Sequence, residues 1–275
     1  MTVSFVLAGG GALAATQVGM LRALLEHGVR PDLVVGTSAG AINGFCFARE
    51  PDEAGLDRLT RLWQRLRRRD VFPLDPRFIL AGLAGLHDGV ASPARLQVFL
   101  RRHIGSAGLT DTEIPMHVVA TDLASGEPVV LSDGPAVEAL LATSALPGVF
   151  PPVRVNGRQL MDGGITADTP ARQAEELGAD VTYVLPAVGP GMPGEVPSGA
   201  VPVLLHAVSH LFGRTASTDI EAVHGEVHVL PAPVHEAANP FDFDHTGELI
   251  ELGYAATTEA LSEVSRRARP MAAGE

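Results

Sequence analysis

The pentapeptide Gly36–Gly40, which reads Gly-Thr-Ser-Ala-Gly, constrains the fold of this chain more than any other feature. It follows the apolar run Leu33–Val35 and precedes a helix-forming stretch. A buried strand, a Gly-x-Ser-x-Gly turn and a helix form the sequence pattern of a nucleophile elbow, which holds a serine hydroxyl at the end of a strand. Gly36 and Gly40 leave room for the sharp turn, and the start of the helix presents N–H groups to the same place. Ser38 is therefore a candidate nucleophile, and an ordinary glycine-rich turn is the alternative interpretation.

The N-terminal region alternates strands with helices. Residues 3–8 are continuously apolar, as in a fully buried strand, and residues 12–27 carry leucines at helical spacing. Residues 32–36 and 39–49 repeat the same order of strand and helix. This alternation predicts an α/β fold with a mostly parallel central sheet and helices on both faces. Since no repeat or clean boundary interrupts the chain, we expect one domain over residues 1–275.

Further elements are predicted along the rest of the chain. Helices are predicted over residues 53–69, 93–103, 171–178, 200–224 and 246–268. Strands are predicted over residues 116–121, 128–131, 153–155, 158–161, 180–185 and 226–230. The pair Asn156-Gly157 is a strong signal for a two-residue hairpin turn, and the proline-rich stretch Gly189–Gly199 is predicted to be an exposed loop.

Composition narrows the classes of function. A formal net charge of −12 argues against nucleic acid as a partner, because binding to phosphates requires positive charge. The single cysteine, Cys46, excludes an intramolecular disulfide and a cysteine-based metal site. The N-terminus lacks the basic segment of a signal peptide, and no run approaches the roughly 18 apolar residues of a spanning helix. We therefore expect a cytoplasmic protein.

Three consecutive glycines, Gly9, Gly10 and Gly11, follow the first predicted strand. They also fit a dinucleotide-binding pattern, but that pattern expects an acid at the end of the second strand, where this chain has the Ser38 turn. The favoured interpretation is an anion-binding loop whose N–H groups face a developing oxyanion. Neighbouring parallel strands would bring this loop next to Ser38.

The tetrapeptide Met161-Asp162-Gly163-Gly164 ends the strand of the predicted hairpin. The two glycines allow another part of the backbone to approach Asp162, and a serine nucleophile needs a base. A simple turn is the alternative interpretation. The proline-containing segment Ala142–Pro152, which precedes the hairpin, is a candidate wall of the same site.

The histidines offer weaker alternatives. His206 and His210 lie four residues apart on a predicted helix, but Ala207 stands where the zinc-protease motif has glutamate. His224 and His228 have no third ligand nearby in the sequence. We therefore expect no metal. A serine–histidine–acid triad of the α/β-hydrolase kind is disfavoured because only one predicted strand precedes the elbow.

These motifs together resemble the patatin-like phospholipases. That family has a glycine-rich loop after the first strand, then Gly-x-Ser-x-Gly and then Asp-Gly-Gly, in the order and spacing seen here from residue 3 to about residue 171. Further similar stretches are Ala120–Leu123, Gly126–Pro128, Ser144–Pro147 and Asn239–Phe243. The resemblance implies a patatin-like three-layer fold and a serine–aspartate dyad, with no catalytic histidine and no metal or organic cofactor.

The function implied is a serine lipid acyl hydrolase, of the phospholipase A or carboxylesterase type. Ser38 is expected to attack the ester carbonyl and Asp162 to take its proton. The N–H groups of the loop Gly9–Gly11, in particular Gly10 and Gly11, and that of Ala39 are expected to hold the oxyanion. Water then hydrolyses the acyl-serine.

The sequence departs from the family pattern in two places, which involve three residues. Leu13 and Ala14 stand where the family usually has a basic residue and a glycine, and Asp168 stands where asparagine is frequent. These departures motivate one alternative, a weakly active or inactive lipid-binding or regulatory protein. A further alternative, independent of them, is an acyltransferase or thioesterase that uses the same dyad.

Arginines crowd one side of the predicted helix 53–69, whereas leucines and a tryptophan form a stripe on the other side. One interpretation is a buried apolar stripe with a solvated basic face. The other is an interfacial helix that contacts anionic lipid headgroups at the membrane surface. The apolar stretch Phe78–Leu86 is a candidate lid or membrane-facing loop.

Overall fold

A computed structural model of the chain describes residues 1–73, 75–188, 198–233 and 239–268. Its strands are β1 (Val3–Leu7), β2 (Leu33–Thr37), β3 (Met116–Asp122), β4 (Pro128–Leu131), β5 (Val153–Val155), β6 (Arg158–Asp162), β7 (Val181–Leu185) and β8 (Glu226–Val229). Its helices are α1 (Thr16–Glu26), α2 (Ser38–Arg49), α3 (Glu53–Arg65), α4 (Arg68–Val71), α5 (Pro76–Leu83), α6 (Ala94–Ile104), α7 (Ala136–Thr143), α8 (Gly164–Ala167), α9 (Ala171–Glu176), α10 (Ala200–Glu221) and α11 (Thr246–Ala268).

The strands form one mixed sheet in the order β5-β6-β3-β2-β1-β7-β8, with β4 also paired to β3. Strands β3, β2, β1, β7 and β8 run parallel, whereas β4, β5 and β6 pair antiparallel. The predicted α/β class with a mostly parallel sheet is therefore confirmed. Strands β1 and β2 are almost wholly buried and mostly apolar because both of their faces are covered.

Successive residues of the central strands pack on opposite faces of the sheet. Phe5 and Val34 belong to a core shared with residues of α1, α2, α6 and α7. Their neighbours Val6 and Val35 belong to a second core shared with alanines of α8 and α9. This period of two is the geometry of a strand that is buried on both faces, and it fixes the three-layer arrangement.

The pairing register of β3 brings the ends of β2 and β6 together. Val119 pairs with Thr37 of β2 and with Val130 of β4, so these two strands lie on opposite edges of β3. Further along, β3 pairs with β4 and with Asp162 of β6, again on opposite edges. Strands β2 and β6 therefore share one edge of β3. Strand β2 pairs with this edge as far as Val119, and β6 pairs with it from Ala120 onward. The end of β6 therefore lies beside Ser38, where β2 turns into α2.

The helices differ from the sequence predictions in several places. The predicted helix 12–27 begins with a 3₁₀ turn over Gly11–Ala15, and the α-helix starts only at Thr16. The predicted helix 53–69 ends at Arg65, because the buried Leu66 adopts an extended conformation (φ −66°, ψ 135°) and a new short helix follows. Helices α5, α7 and α8 were not predicted, and α5 covers most of the stretch Phe78–Leu86 that was a candidate lid or loop. Most of the predicted loop Gly189–Gly199 lies outside the described residues.

Candidate active site

The turn from β2 into α2 is tightly enclosed. Ser38 has φ of 53°, a left-handed conformation that is uncommon for a residue with a side chain. A Cβ atom on Gly36 would lie 2.7 Å from Cα of Ala41, and one on Gly40 would lie 2.4 Å from the carbonyl oxygens of Leu7 and Ala8. Only glycine fits at both positions, which is the geometry of a nucleophile elbow.

The Ser38 side chain meets a buried carboxylate. Ser38 Oγ donates to Asp162 Oδ2 at 3.0 Å, and the Gly164 N–H donates to Asp162 Oδ1 at 2.9 Å. Asp162 is only 3% exposed, whereas Ser38 is half-buried. A Cβ on Gly163 would lie 2.2 Å from the Val119 carbonyl oxygen, so glycine is needed for β6 to deliver Asp162 here. Both residues that the sequence singled out are therefore in hydrogen-bond contact.

Burial sets the protonation of Asp162. Removal from water raises the pKa of this carboxyl group to about 7, and the hydrogen bonds from Gly164 and Ser38 oppose that rise. A carboxyl group with a pKa near neutrality is well suited to accept a proton and to return it at the same pH.

Thr143, at the end of α7, is a site residue that the sequence analysis did not single out. Its hydroxyl oxygen accepts a hydrogen bond from the Ser38 N–H at 2.8 Å and donates to the Val119 carbonyl. Its own carbonyl accepts from the Gly163 N–H at 3.3 Å. Thr143 therefore links the elbow, β3 and the Asp-Gly-Gly turn. The sequence indicated Thr143 only indirectly, because this residue belongs to the segment Ala142–Pro152 that was predicted to line the site.

The glycine loop lies beside the elbow. The Gly9 N–H donates to the Asp168 carbonyl at 3.1 Å, so it is already engaged. None of the described residues accepts a hydrogen bond from the N–H of Gly10 or Gly11. A Cβ on Gly11 would lie 2.4 Å from the Pro240 carbonyl oxygen, and φ of Gly11 is 57°. Pro240, which precedes α11, thus packs directly on this loop.

A chain of buried amide groups supports the glycine loop from beneath. The Gln17 side chain donates to the Ala8 carbonyl at 2.8 Å, and the Asn43 side chain donates to the Ala14 carbonyl at 2.8 Å. Asn43 also donates to Gln17 Oε1 at 2.9 Å and accepts from the Trp63 indole at 2.7 Å. These bonds fix the carbonyl groups on either side of the loop. Sequence periodicity treats such residues as ordinary helix positions, so it did not reveal them.

The two departures from the family pattern have different positions. The Leu13 side chain is buried in an apolar cluster with residues such as Trp63, so it cannot contact a headgroup. The Asp168 carboxyl group, in contrast, lies against Gly9 next to Ser38. Burial, together with the charges of Asp162 and Asp219, raises the pKa of Asp168 to about 8.

Histidines and metal ligands lie elsewhere. Within the described ranges no three His, Cys, Asp or Glu residues are placed to hold a metal ion. His206 and His210 contact each other, with their Nε2 atoms 3.1 Å apart. His224 and His228 face Glu175 and Glu226 respectively. The hydrogen bonds of the Ser38 hydroxyl and the Asp162 carboxylate described above involve no histidine.

A separate cavity of about 310 Å³ lies between α2, α3 and α6. Its lining includes neither Ser38 nor Asp162. Its rim carries Arg49, Arg61 and Arg65 over an apolar floor. The candidate nucleophile therefore does not lie in this cavity.

The fold and the site place this chain among α/β proteins that pair a serine at a strand–helix elbow with a buried aspartate from a neighbouring strand end. The family model of the patatin-like phospholipases matches residues 5–175 of this chain. The chain belongs to that family.

Curated relatives share this region. An uncharacterized NTE family protein of Mycobacterium tuberculosis is 32% identical over 185 residues, which is 66% of this chain and 48% of that protein. A lysophospholipase of Aspergillus terreus is 28% identical over 185 residues, or 67% of this chain and 12% of that protein. The chain thus spans about half the length of the mycobacterial relative and far less of the fungal one.

Solved structures that resemble this chain share little sequence identity with it. VipD from Legionella pneumophila has a TM-score of 0.47 at 16% identity, covering 95% of this chain and 67% of that chain. Human group IVD cytosolic phospholipase A2, in complex with methyl gamma-linolenyl fluorophosphonate, has a TM-score of 0.46 at 12% identity, covering 97% of this chain and 58% of that chain.

A search of the helices in the described part of this chain found none with the length and apolar character that a bilayer-spanning segment requires.

Proposed function

We propose that this chain is a serine lipid acyl hydrolase of the phospholipase A or carboxylesterase type. The observation that carries the proposal is the 3.0 Å hydrogen bond from Ser38 Oγ to the buried Asp162, at an elbow held in a left-handed conformation. Membership of the patatin-like phospholipase family and a relative named lysophospholipase support a lipid ester as substrate.

The proposed reaction uses groups of this chain alone. Ser38 Oγ attacks the ester carbonyl carbon while Asp162 accepts the hydroxyl proton. The N–H groups of Gly10, Gly11 and Ala39 stabilise the oxyanion that forms. Collapse of the tetrahedral intermediate expels the alcohol, which takes the proton from Asp162. Water, deprotonated by Asp162, then attacks the acyl-serine. Collapse of the second tetrahedral intermediate releases the carboxylic acid, and Asp162 returns the proton to Ser38 Oγ.

A fluorophosphonate probe and a simple aryl ester test this proposal. Wild-type protein is expected to be labelled at Ser38 and to cleave the ester, whereas Ser38→Ala should do neither. Ser217→Ala, which changes an exposed serine on α10, is the matched control and should behave as wild type. A folded wild-type protein that binds lipid vesicles but is inert to both reagents would support the non-catalytic alternative instead. Transfer of the acyl group to an added alcohol in place of water would support an acyltransferase.

The rate of ester hydrolysis should fall when the pH is lowered. Asp162 accepts a proton only when it is ionised, and its pKa is about 7. We therefore expect kcat/KM for a neutral ester to rise as the pH increases through that value, and to fall about tenfold per unit below it. The pH dependence of kcat/KM in the free enzyme measures this pKa. An activity that stays constant from neutral pH down to pH values near the ordinary aspartate range would contradict the role of Asp162 as base.

We also propose that a basic surface near α3 and α4 contacts anionic membranes, as a peripheral attachment of a cytoplasmic protein. Arg65, Arg68 and Arg69 are exposed there, whereas Arg58 is engaged by an ion pair with Glu50. Three leucines of α5 and the turn after it supply exposed apolar surface, namely Leu80 (68% exposed), Leu83 (73%) and Leu86 (77%). Positive charge and exposed leucines together suit an anionic lipid surface.

Vesicle binding should depend on this charge. The pair of changes Arg68→Gln and Arg69→Gln is expected to weaken binding to anionic vesicles by about 1 kcal/mol per arginine, and added salt should weaken wild-type binding. Arg154→Gln with Arg158→Gln, on the exposed β5–β6 hairpin, is the matched control. Sedimentation with anionic and neutral vesicles measures the effect. Equal binding to both kinds of vesicle would leave the arginines as an ordinary solvated surface.

A further inference from the structure

Asp168 places a second buried carboxyl group in the candidate active site. A Cβ atom built on Gly9 would lie 2.6 Å from Asp168 Oδ1 and 3.5 Å from Ser38 Cβ. The Asp168 carboxyl group and the Ser38 side chain therefore lie against the same side of Gly9. A Cβ on Gly164 would lie 3.1 Å from the same Oδ1 atom, so the carboxyl group also contacts the turn that follows Asp162.

Among the residues that the structure describes, the charges that act on Asp168 are all negative. They are Asp162 at the end of β6 and Asp219 on α10. Burial raises the pKa of Asp168 to about 8, and these two charges contribute to the rise. Arg172 of α9 acts on Asp219 rather than on Asp168. Asp219 itself has a pKa raised to about 6 by burial. Asp168 is 9% exposed, so water screens these interactions little.

We infer that the active site works only with Asp162 ionised and Asp168 protonated, so that ionisation of Asp168 stops hydrolysis. This inference rests on the proposed function of Ser38 and Asp162. It assigns to Asp168 the control of charge at the site and gives it no part in bond breaking.

The physical reason is the position of the developing oxyanion. That oxygen becomes negative beside the glycine loop, and the Asp168 carboxyl group lies against the first glycine of the same loop. An ionised Asp168 would add a second buried negative charge next to the oxyanion and to Asp162. A like charge in a dry site disfavours any further negative charge, so the transition state would lose most of its stabilisation. A protonated Asp168 has no net charge and imposes no such penalty.

The test is the pH dependence of Ser38 labelling by an uncharged fluorophosphonate, corrected for hydrolysis of the probe. In wild-type protein the rate should rise through neutral pH, as Asp162 ionises, and then fall about tenfold per pH unit as Asp168 ionises. In Asp168→Asn the alkaline fall should disappear while the acidic limb remains. A merely structural Asp168 would change the rate at every pH and would leave the shape of the profile unchanged.

Asp219→Asn provides a second, independent readout. It removes one of the two negative charges that hold the proton on Asp168, so the alkaline fall should remain but move to lower pH. A wild-type rate that stays level in alkaline solution, or an alkaline fall that persists in folded Asp168→Asn or stays in place in Asp219→Asn, overturns the inference. Absence of Ser38 labelling at every pH would instead contradict the proposed function itself.

Discussion

Asp162→Asn is expected to lower kcat/KM for ester hydrolysis by a factor on the order of 10⁴, almost as far as Ser38→Ala. Asparagine preserves the shape of the side chain and can still accept the hydrogen bond that the Gly164 N–H gives to Oδ1. It cannot take a proton from Ser38 at neutral pH. The loss should therefore appear in the chemical step while the fold remains intact, which circular dichroism and denaturation would verify.

The double variant gives the sharper measurement. Because Ser38 and Asp162 are proposed to act as one unit, combining the two changes should reduce the rate little beyond either change alone. Single histidine replacements serve as controls and should leave turnover in place. A folded histidine variant without turnover would overturn the dyad in favour of a triad, and multiplicative losses in the double variant would argue that the two residues act separately.

Gly40→Ala is expected to damage both the fold and the site. The new Cβ would lie 2.4 Å from the carbonyl oxygens of Leu7 and Ala8, so the end of β1 and the glycine loop would have to move. Overpacking of this kind costs about 1–3 kcal/mol of unfolding free energy. Displacement of the loop by even ~1 Å should also slow Ser38 labelling by a factor on the order of 10².

Gly44→Ala, one turn later in α2, is the matched control. Its Cβ would lie 3.0 Å from Val34 Cγ1 and 3.1 Å from Met116 Cε, so these side-chain atoms need to shift by only a few tenths of an ångström, whereas Gly40 faces backbone. Alanine also favours a helix interior over glycine by about 1 kcal/mol. Urea denaturation and labelling rates for the two variants separate the effects. Equal stability and equal labelling in both would show that the enclosure of the elbow is unimportant.

The sequence predicted the parts of the site that local chemistry specifies. Gly36 and Gly40 flank the serine because a side chain there would strike backbone, and Gly163 follows Asp162 for the same reason. Such constraints appear as short motifs, so Ser38 and Asp162 could be identified and their contact anticipated. Strands β1 and β2 were predictable because continuous apolar runs specify burial on both faces, and the β5–β6 hairpin was predictable from its Asn156-Gly157 turn.

The remaining site residues act through contacts that no local pattern records. Thr143 reaches Ser38 across 105 positions of sequence, and Gln17 and Asn43 meet only after α1 and α2 have packed on the sheet. The engagement of the Gly9 N–H by the Asp168 carbonyl likewise depends on tertiary structure. The end of α3 was missed because Leu66 fits the apolar period of the helix but adopts an extended conformation in the structure.

The hydrogen-bonded side chains of Gln17, Asn43 and Trp63, beneath the glycine loop, restrict which substitutions this sequence can accept during evolution. Both Gln17 amide protons are used, on Ala8 and Leu185, and both Asn43 amide protons are used as well. The Trp63 indole completes the chain at Asn43 Oδ1. Replacing one member leaves a buried partner unpaired at a cost of about 1–3 kcal/mol, whereas exchanging partners together can be nearly neutral. Descendants of this sequence can therefore leave the present arrangement only through less stable intermediates or by simultaneous changes, so these three positions should evolve together.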